Sequence, residues 1–217
     1  MNTGDWSMVL EHAAVGVAAL TGVLAARGKQ VDLLGVIVLA VVTAFGGGTL
    51  RDLMVGDTPV IWVRAPHLLL TATGVAVVAF FAVRAHTPPL KALLIADAFV
   101  LALFTTIGAK AALRWNLAPA VVVAMGVITG VAGGIIRDIM TGEIPLVFRP
   151  AIYLYATAAL LGAVTLVTLN QFGASDSVSG GVGTATTLLL RLAGIRWKIG
   201  LPVFRAKESP PNGGAHF

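Results

Sequence analysis

Two stretches of this chain share one pattern. GGGTLRDLMVGDTPVIW occupies residues 46–62, and GGIIRDIMTGEIPLVF occupies residues 133–148. A shift of 86 residues superimposes the two without a gap and aligns identical glycine, arginine, aspartate, methionine and proline residues. The same shift pairs Glu11 with Asp97, so the match extends back through the preceding segment. Self-similarity at a fixed offset predicts an internal duplication.

The composition is that of a membrane protein. Of the 217 residues, 57% are hydrophobic and only 12% are charged, and the mean hydropathy is +0.91. A soluble domain carries about 25% charged residues to cover its surface, so water cannot solvate most of this chain. The composition therefore excludes a soluble enzyme, a fibrous protein and a disordered chain.

Apolar segments of membrane-spanning length recur along the sequence. A hydrocarbon core of about 30 Å needs a helix of about 20 apolar residues. Such segments fall at about 8–26, 31–50, 66–83, 90–109, 117–140, 149–171 and 178–195. We predict an all-α membrane protein with seven transmembrane helices in one transmembrane domain, residues 1–200. Residues 201–217 contain several prolines and glycines and are expected to form a mobile cytoplasmic tail.

The duplication gives this domain an expected symmetry. The first repeat covers residues 8–85, the second covers 90–171, and the extra helix at 178–195 lies outside both. Because each repeat holds an odd number of spans, the second copy enters the membrane from the opposite side. The copies are then inverted repeats, an arrangement found in transport proteins. A duplication retained only for packing is the alternative.

Lysine and arginine residues predict the orientation, since cytoplasmic loops are enriched in both. With the N-terminus outside, 11 of the 15 cations fall on the inner side. The outer four are Arg51, Arg64, Lys110 and Arg114. We expect a multi-pass protein of the plasma or inner membrane with a cytoplasmic C-terminus. The net charge of +5 follows from this bias, so no nucleic-acid partner is expected.

The glycine clusters of the motif are the first candidate functional positions. Glycine has no Cβ, so a helix can bend there, and the carbonyl groups that a bend releases can line a polar path. The candidate pore positions are Gly46, Gly47, Gly48 and Thr49 in the first repeat and Thr129, Gly133 and Gly134 in the second. Close helix packing through small residues is the alternative.

The charged residues after the glycines are the second candidate site. They are Arg51 with Asp52 and Arg137 with Asp138, at or just past the ends of their spans. Ionisable groups there are costly unless they are paired or hydrated. From their depth in the membrane we expect two pseudo-symmetric ion pairs, Glu11 with Arg51 and Asp97 with Arg137. Each pair would staple a helix to its own repeat, with ion coordination as the alternative.

Lys110 and Arg114 break the symmetry, because the shift pairs them with Leu24 and Gly28. They are four residues apart and therefore lie on one face of a helix, near its outer end. Two side chains that snorkel to the interface would explain them. The functional alternative is a basic spot at the mouth of a pathway, acting in gating or binding a lipid phosphate.

Other chemistry finds little support in the sequence. The chain has no cysteine and four histidines, and the histidines do not have the HxxxH or HExxH spacing of metal sites. We expect no tightly bound metal and no cofactor. No serine, histidine and aspartate constellation is evident, so an intramembrane enzyme is not expected.

The two motifs, with DAFVLALFTTIGAKAAL at residues 97–113, resemble the prokaryotic branch of the trimeric intracellular cation channels. The resemblance covers about residues 8–195. It implies seven helices as two inverted repeats plus one, a homotrimer with a pore in each protomer, and conduction of monovalent cations, chiefly potassium. It also implies that the glycine-kinked second and fifth helices line the pore.

In animal members of that family, a lysine and an arginine four residues apart are tied to gating and phosphoinositide binding. Lys110 and Arg114 match that spacing, but Ala111 and Ala112 replace the Glu-Val that follows the lysine there. Ala132 stands where a full triple glycine would continue. Some bacterial relatives are described as transporters of glycine or other small amino acids.

Two functions therefore remain open. The first is a homotrimeric potassium-permeable channel with K⁺ as the permeant ion and a phospholipid as a candidate bound molecule. Hydroxyl groups of Thr43, Thr49 or Thr129 would replace part of the ion's hydration. The second is an alternating-access carrier in which broken-helix ends bind a small zwitterion.

Overall fold

The computed structural model describes residues 3–86, 88–149 and 154–199, with side chains from residue 8 onward. The predicted tail, 201–217, lies outside the described residues. The eight α-helices of this part are α1 (Thr3–Ala25), α2 (Leu33–Val55), α3 (Ile61–Arg64), α4 (Pro66–Ala85), α5 (Leu90–Arg114), α6 (Pro119–Met140), α7 (Tyr155–Gln171) and α8 (Asp176–Trp197). A 3-10 helix, Leu146–Phe148, lies between α6 and α7.

The all-α membrane architecture is confirmed. Six of the described helices, α1, α2, α4, α5, α6 and α8, are long and apolar enough to cross a bilayer. The remaining predicted span, 149–171, corresponds to α7, which has 17 residues and lies at the short end of the spanning range. The count of seven is therefore approximate. The short helix α3 and the 3-10 helix were not predicted.

The helices pack in two groups of three. One group contains α1, α2 and α4, the other contains α5, α6 and α7, and α8 packs on α5 and α7. The groups meet chiefly where α2 crosses α6 and where α1 packs on α5. Because the long helices alternate in direction, residues 26–32, 86 with 88–89, and 141–149 share one end of the bundle. We call this end the Lys29 face and the opposite end the Arg64 face.

The crossing of α2 and α6 depends on two glycines. A Cβ at Gly47 would overlap the carbonyl oxygen of Thr129, and a Cβ at Gly133 would overlap that of Thr43. The shift of 86 residues relates Gly47 to Gly133 and Thr43 to Thr129, so the contact is symmetric. Only residues without a side chain permit two backbones to approach this closely.

This crossing corrects one expectation. Both α2 and α6 run as α-helices through their glycine clusters, without the interruption that the motif suggested. Their backbone carbonyls stay in the helical ladder, and the glycines serve the close packing that was the alternative. The hydroxyl groups of Thr43 and Thr129 also bond within their own helices, since each donates to the carbonyl oxygen four residues earlier, at 2.6 Å.

Small residues also join α8 to its neighbours. Gly183 and Thr187 of α8 pack closely against Gly162 of α7. Gly180 faces the end of the Lys110 side chain on α5. The helix outside the duplication is therefore anchored on the second repeat of the same chain.

We predict that Gly47→Ala lowers the free energy of unfolding by about 1–3 kcal/mol, because the new methyl group must push apart two packed backbones. Gly48→Ala is the matched control. Its Cβ would lie 3.7 Å from Ile61, an ordinary contact, and alanine favours the helix. Denaturant titration in detergent micelles measures both. Equal losses in the two variants would show that the crossing is not set by Gly47.

Candidate functional site

The arginine and aspartate of the first motif form a pair on adjacent positions of α2. Arg51 donates from Nε and Nη2 to Asp52 Oδ1, at 2.9 and 2.6 Å. The second carboxylate oxygen of Asp52 accepts the backbone N–H of Ile61, the first residue of α3, at 2.9 Å. Asp52 thus neutralises the arginine and caps the short helix that follows.

The second motif repeats this geometry. Arg137 donates from Nε to Asp138 Oδ1 at 2.8 Å, and Asp138 Oδ2 accepts the N–H of Leu146, which opens the 3-10 helix, at 2.8 Å. Gly56 and Gly142 both reverse the chain after their helices with φ near +70°, at 72° and 71°. The motif therefore encodes a helix end, a left-handed turn and a capped second helix in both repeats.

The two repeats differ in whether a third charged residue contacts the arginine and aspartate of the motif. Arg137 also donates from Nη1 to Asp97 Oδ1 of α5 at 2.8 Å, so the predicted pair of Asp97 and Arg137 is present. Glu11 is exposed, and among the described residues it forms no ion pair. The predicted pair of Glu11 and Arg51 is wrong. Arg51 needs no partner from α1, because Asp52 already neutralises its guanidinium group.

The second repeat buries its charges more completely than the first. Arg137 is 0% exposed and Asp97 is 1% exposed, whereas Arg51 is 8% exposed. All three lie within helices rather than past their ends. In a low-dielectric bundle a buried pair costs desolvation free energy that only close contacts offset, so Asp97 and Asp138 together hold the Arg137 guanidinium. The geometry favours the stapling role over ion coordination.

Sequence reasoning missed two residues of this buried cluster. Arg191 of α8 is 0% exposed, and its guanidinium lies 4.8 Å from the ring centre of Tyr155 on α7. The orientation argument places Arg191 among the inner-side cations. The sequence does contain a signal for Arg191, because this residue falls inside the predicted span 178–195. A charged residue within a transmembrane span is by default a candidate functional residue.

Exposed charges flank both motifs. On the Arg64 face, Arg64 holds Asp57 through two hydrogen bonds of 2.8 Å, which lower the pKa of Asp57. On the Lys29 face, Glu143 accepts from Lys29 at 2.8 Å and from Arg149 at 3.1 Å. The hydrogen bond from Lys29, more than the contact with Arg149, lowers the pKa of Glu143.

A cleft of about 450 Å³ opens beside Lys29. Its walls are the start of α2 and the end of α6, lined by Val31, Asp32, Leu34, Gly35, Val38, Leu39, Met140 and Thr141. Further along the two helices, the Gly47 and Gly133 crossing brings the backbones into contact. In this structure an ion cannot pass between α2 and α6 at that level.

The remaining candidates lie around this region without forming one cluster. Gly46 faces the end of the Ile136 side chain, and Gly134 lies beside Tyr155 and Arg137. Thr49 is half-buried on α2. Lys110 is half-buried against Gly180, and Arg114 is exposed in the last turn of α5. Neither cation forms an ion pair with any residue that the structure describes.

We predict that Asp97→Asn lowers the free energy of unfolding by about 3 kcal/mol, because it removes one of two carboxylates from a buried guanidinium. Glu11→Gln, at the symmetry-related position, should change it by less than about 0.5 kcal/mol, as expected for an exposed residue. Denaturant titration in micelles compares the two. A loss in Glu11→Gln that matches the loss in Asp97→Asn would contradict this assignment.

Comparison with known proteins places the chain in a family. A family model described as "Glycine transporter" matches residues 8–84 and 94–171. The UPF0126 inner membrane protein YadS of Escherichia coli (strain K12) is 41% identical over 202 residues, covering 92% of this chain and 97% of the relative. A UPF0126 membrane protein of Vibrio cholerae is 40% identical over 199 residues, covering 90% and 82%.

Solved structures are also similar to this chain over most of its length. The TRIC trimeric intracellular cation channel orthologue from Rhodobacter sphaeroides superimposes with a TM-score of 0.84 at 41% identity, covering 88% of this chain and 98% of that one. A second TRIC cation channel gives a TM-score of 0.82 at 32% identity, covering 93% and 98%. These matches are membrane proteins and channels rather than enzymes. The chain belongs to the family described as "Glycine transporter", which it shares with the UPF0126 membrane proteins and the prokaryotic TRIC channels.

Proposed function

We propose that the protein is a potassium-permeable channel for monovalent cations that works as a homotrimer with one pore in each protomer. The observation that carries this proposal is the close structural likeness to TRIC cation channels over nearly the whole chain, with a TM-score of 0.84 at 41% identity. The TRIC protein of that comparison is described as trimeric, which supports self-association here.

The permeation path would run between α2 and α6, the helices that carry the duplicated motif. The cleft on the Lys29 face forms one mouth of this path. Because the backbones touch at Gly47 and Gly133, conduction requires the two helices to part there. The structure therefore corresponds to a closed path in this proposal, and the glycines give the closed state its tight contact.

The expected selectivity is modest. The sequence contains no TVGYG segment, which in potassium channels supplies a ring of carbonyl oxygens. The carbonyl oxygens of Thr43 and Thr129 lie against Gly133 and Gly47 of the opposite helix. Once the helices part, these carbonyls and the hydroxyl oxygens of the same two threonines would replace part of an ion's hydration. Few fixed oxygens give weak discrimination among monovalent cations, with K⁺ as the main permeant ion.

The proposal also includes an orientation of the protein in the membrane. We assign the Lys29 face to the cytoplasm and the Arg64 face to the outside, so that the N-terminus of this inner membrane protein is outside. Arg137 and Arg191 are buried and Arg51 nearly so, but leaving them out keeps the cation bias in the same direction. Lys110 and Arg114 then lie in the outer part of the bundle, where their charges can act in gating or hold a phospholipid phosphate.

The second candidate is a carrier for glycine or another small amino acid. The description of the matching family favours it. Its expected binding site relied on broken-helix ends, and α2 and α6 are continuous through the glycines. A carrier would have to bind its substrate elsewhere between the two repeats.

Current across a planar bilayer that contains the purified protein separates the two functions. In asymmetric KCl we expect discrete openings that reverse near the potassium equilibrium potential, also when chloride is replaced by a large anion. Uptake of labelled glycine by liposomes is measured in parallel. Electrical silence with saturable glycine uptake would overturn the channel and support the carrier.

We also predict that Lys110→Met weakens the response of the channel to anionic lipid, because it removes a cation that no acidic side chain of the described residues neutralises. Open probability in bilayers with and without phosphatidylglycerol measures this response. Lys91→Met is the control, since Lys91 is exposed at the other end of α5. An unchanged lipid response in Lys110→Met would leave Lys110 as a snorkelling residue.

A further inference from the structure

One ion pair joins the two repeats. Lys29 Nζ lies 2.8 Å from Glu143 Oε1, and Lys29 belongs to the turn between α1 and α2, whereas Glu143 follows α6. The other ion pairs among the described residues each stay within one repeat, including those of Arg51, Arg64 and Arg137. Among the described residues, this contact is therefore the one ion pair that connects the two repeats.

The pair lies at the cleft between α2 and α6. Lys29 lines the cleft together with the first turns of α2, and Met140 and Thr141 at the end of α6 form the facing wall. An ion pair across these two walls fixes the distance between the start of one helix and the end of the other. Separation of α2 from α6 at this face has to break it.

The opposite end of the bundle lacks such a connection. Asp57 is the symmetry-related counterpart of Glu143, and Arg64 of its own repeat holds it with two hydrogen bonds. The counterpart of Lys29 is Trp115, which has no charge. The two ends of the α2 and α6 pair are therefore unequal, and only the Lys29 face has a charged link between the repeats among the residues described.

From these contacts we infer that Lys29 and Glu143 form a clasp that holds the mouth of the path closed at the Lys29 face. This inference rests on the proposed function in one respect, the link between the clasp and conduction. The side chains of Lys29 and Glu143 are 37% and 46% exposed, so the contact is screened by salt and weak enough to open thermally. If the contact is present in the closed state and absent in the open state, its free energy favours the closed state by the same amount.

The first test uses charge reversal in bilayers. We expect Lys29→Glu and Glu143→Lys each to raise open probability by about two- to fivefold, and the double variant, which restores opposite charges, to return it toward the original value. Lys91→Glu is the matched control, since it makes the same charge change on an exposed lysine near the same face. Single variants that behave like Lys91→Glu, or a double variant that shows no recovery, would overturn the clasp.

The second test does not depend on conduction. The chain has no cysteine, so Leu39→Cys introduces a single thiol at a cleft position that is 4% exposed. We expect a charged thiol reagent to modify it several-fold faster when Lys29→Glu is also present. Met125→Cys, at the symmetry-related position and 3% exposed, is the control and should keep its rate.

The two tests separate the inference from the proposed function. Faster modification of Leu39→Cys in a protein that carries no current would retain the clasp and reject the channel. Equal modification rates with and without Lys29→Glu, in a protein that conducts, would reject the clasp and retain the channel. A rise at Met125→Cys as large as that at Leu39→Cys would indicate general loosening and would also overturn the clasp.

Discussion

The backbone contact between α2 and α6 is the constraint on which the rest of the structure depends. Gly47 and Gly133 each meet a threonine carbonyl of the other helix, and neither tolerates a side chain there. Because one glycine comes from each repeat, the contact also lies between the two inverted halves. It brings the ends of both helices to fixed positions, and the duplicated charges and turns that follow are positioned by it.

The main structural role of the arginine and aspartate pair in each motif is to end a helix inside a membrane protein. In each repeat the aspartate neutralises the arginine beside it and accepts the first N–H of the next short helix. A buried arginine and an uncapped helix end would both be costly in a low-dielectric environment. The shared arrangement meets both requirements with two side chains, which explains why the same spacing serves both halves.

Departures from the symmetry identify the places where the two halves have separate roles. Asp97 reaches Arg137, whereas its counterpart Glu11 is exposed. The second half also contains Tyr155 of α7, whose ring lies against Arg191 of the added helix α8. The second repeat is therefore locked by buried charge, and the first is held mainly by apolar packing. The two ends of the α2 and α6 pair differ as well, since among the described residues an ion pair between the repeats, Lys29 with Glu143, is present at one end only.

The sequence by itself determined the membrane class, the approximate spans and the duplication, and it predicted the pairing of Asp97 with Arg137. These follow from hydropathy and spacing, which are local properties. Only the tertiary structure decided that Glu11 lies apart from Arg51, that the glycines pack α2 against α6 without breaking them, and that Arg191 is buried. Such contacts depend on how each helix is rotated and where it crosses its neighbour, and those angles are set by the packing of distant segments rather than by any one stretch of sequence.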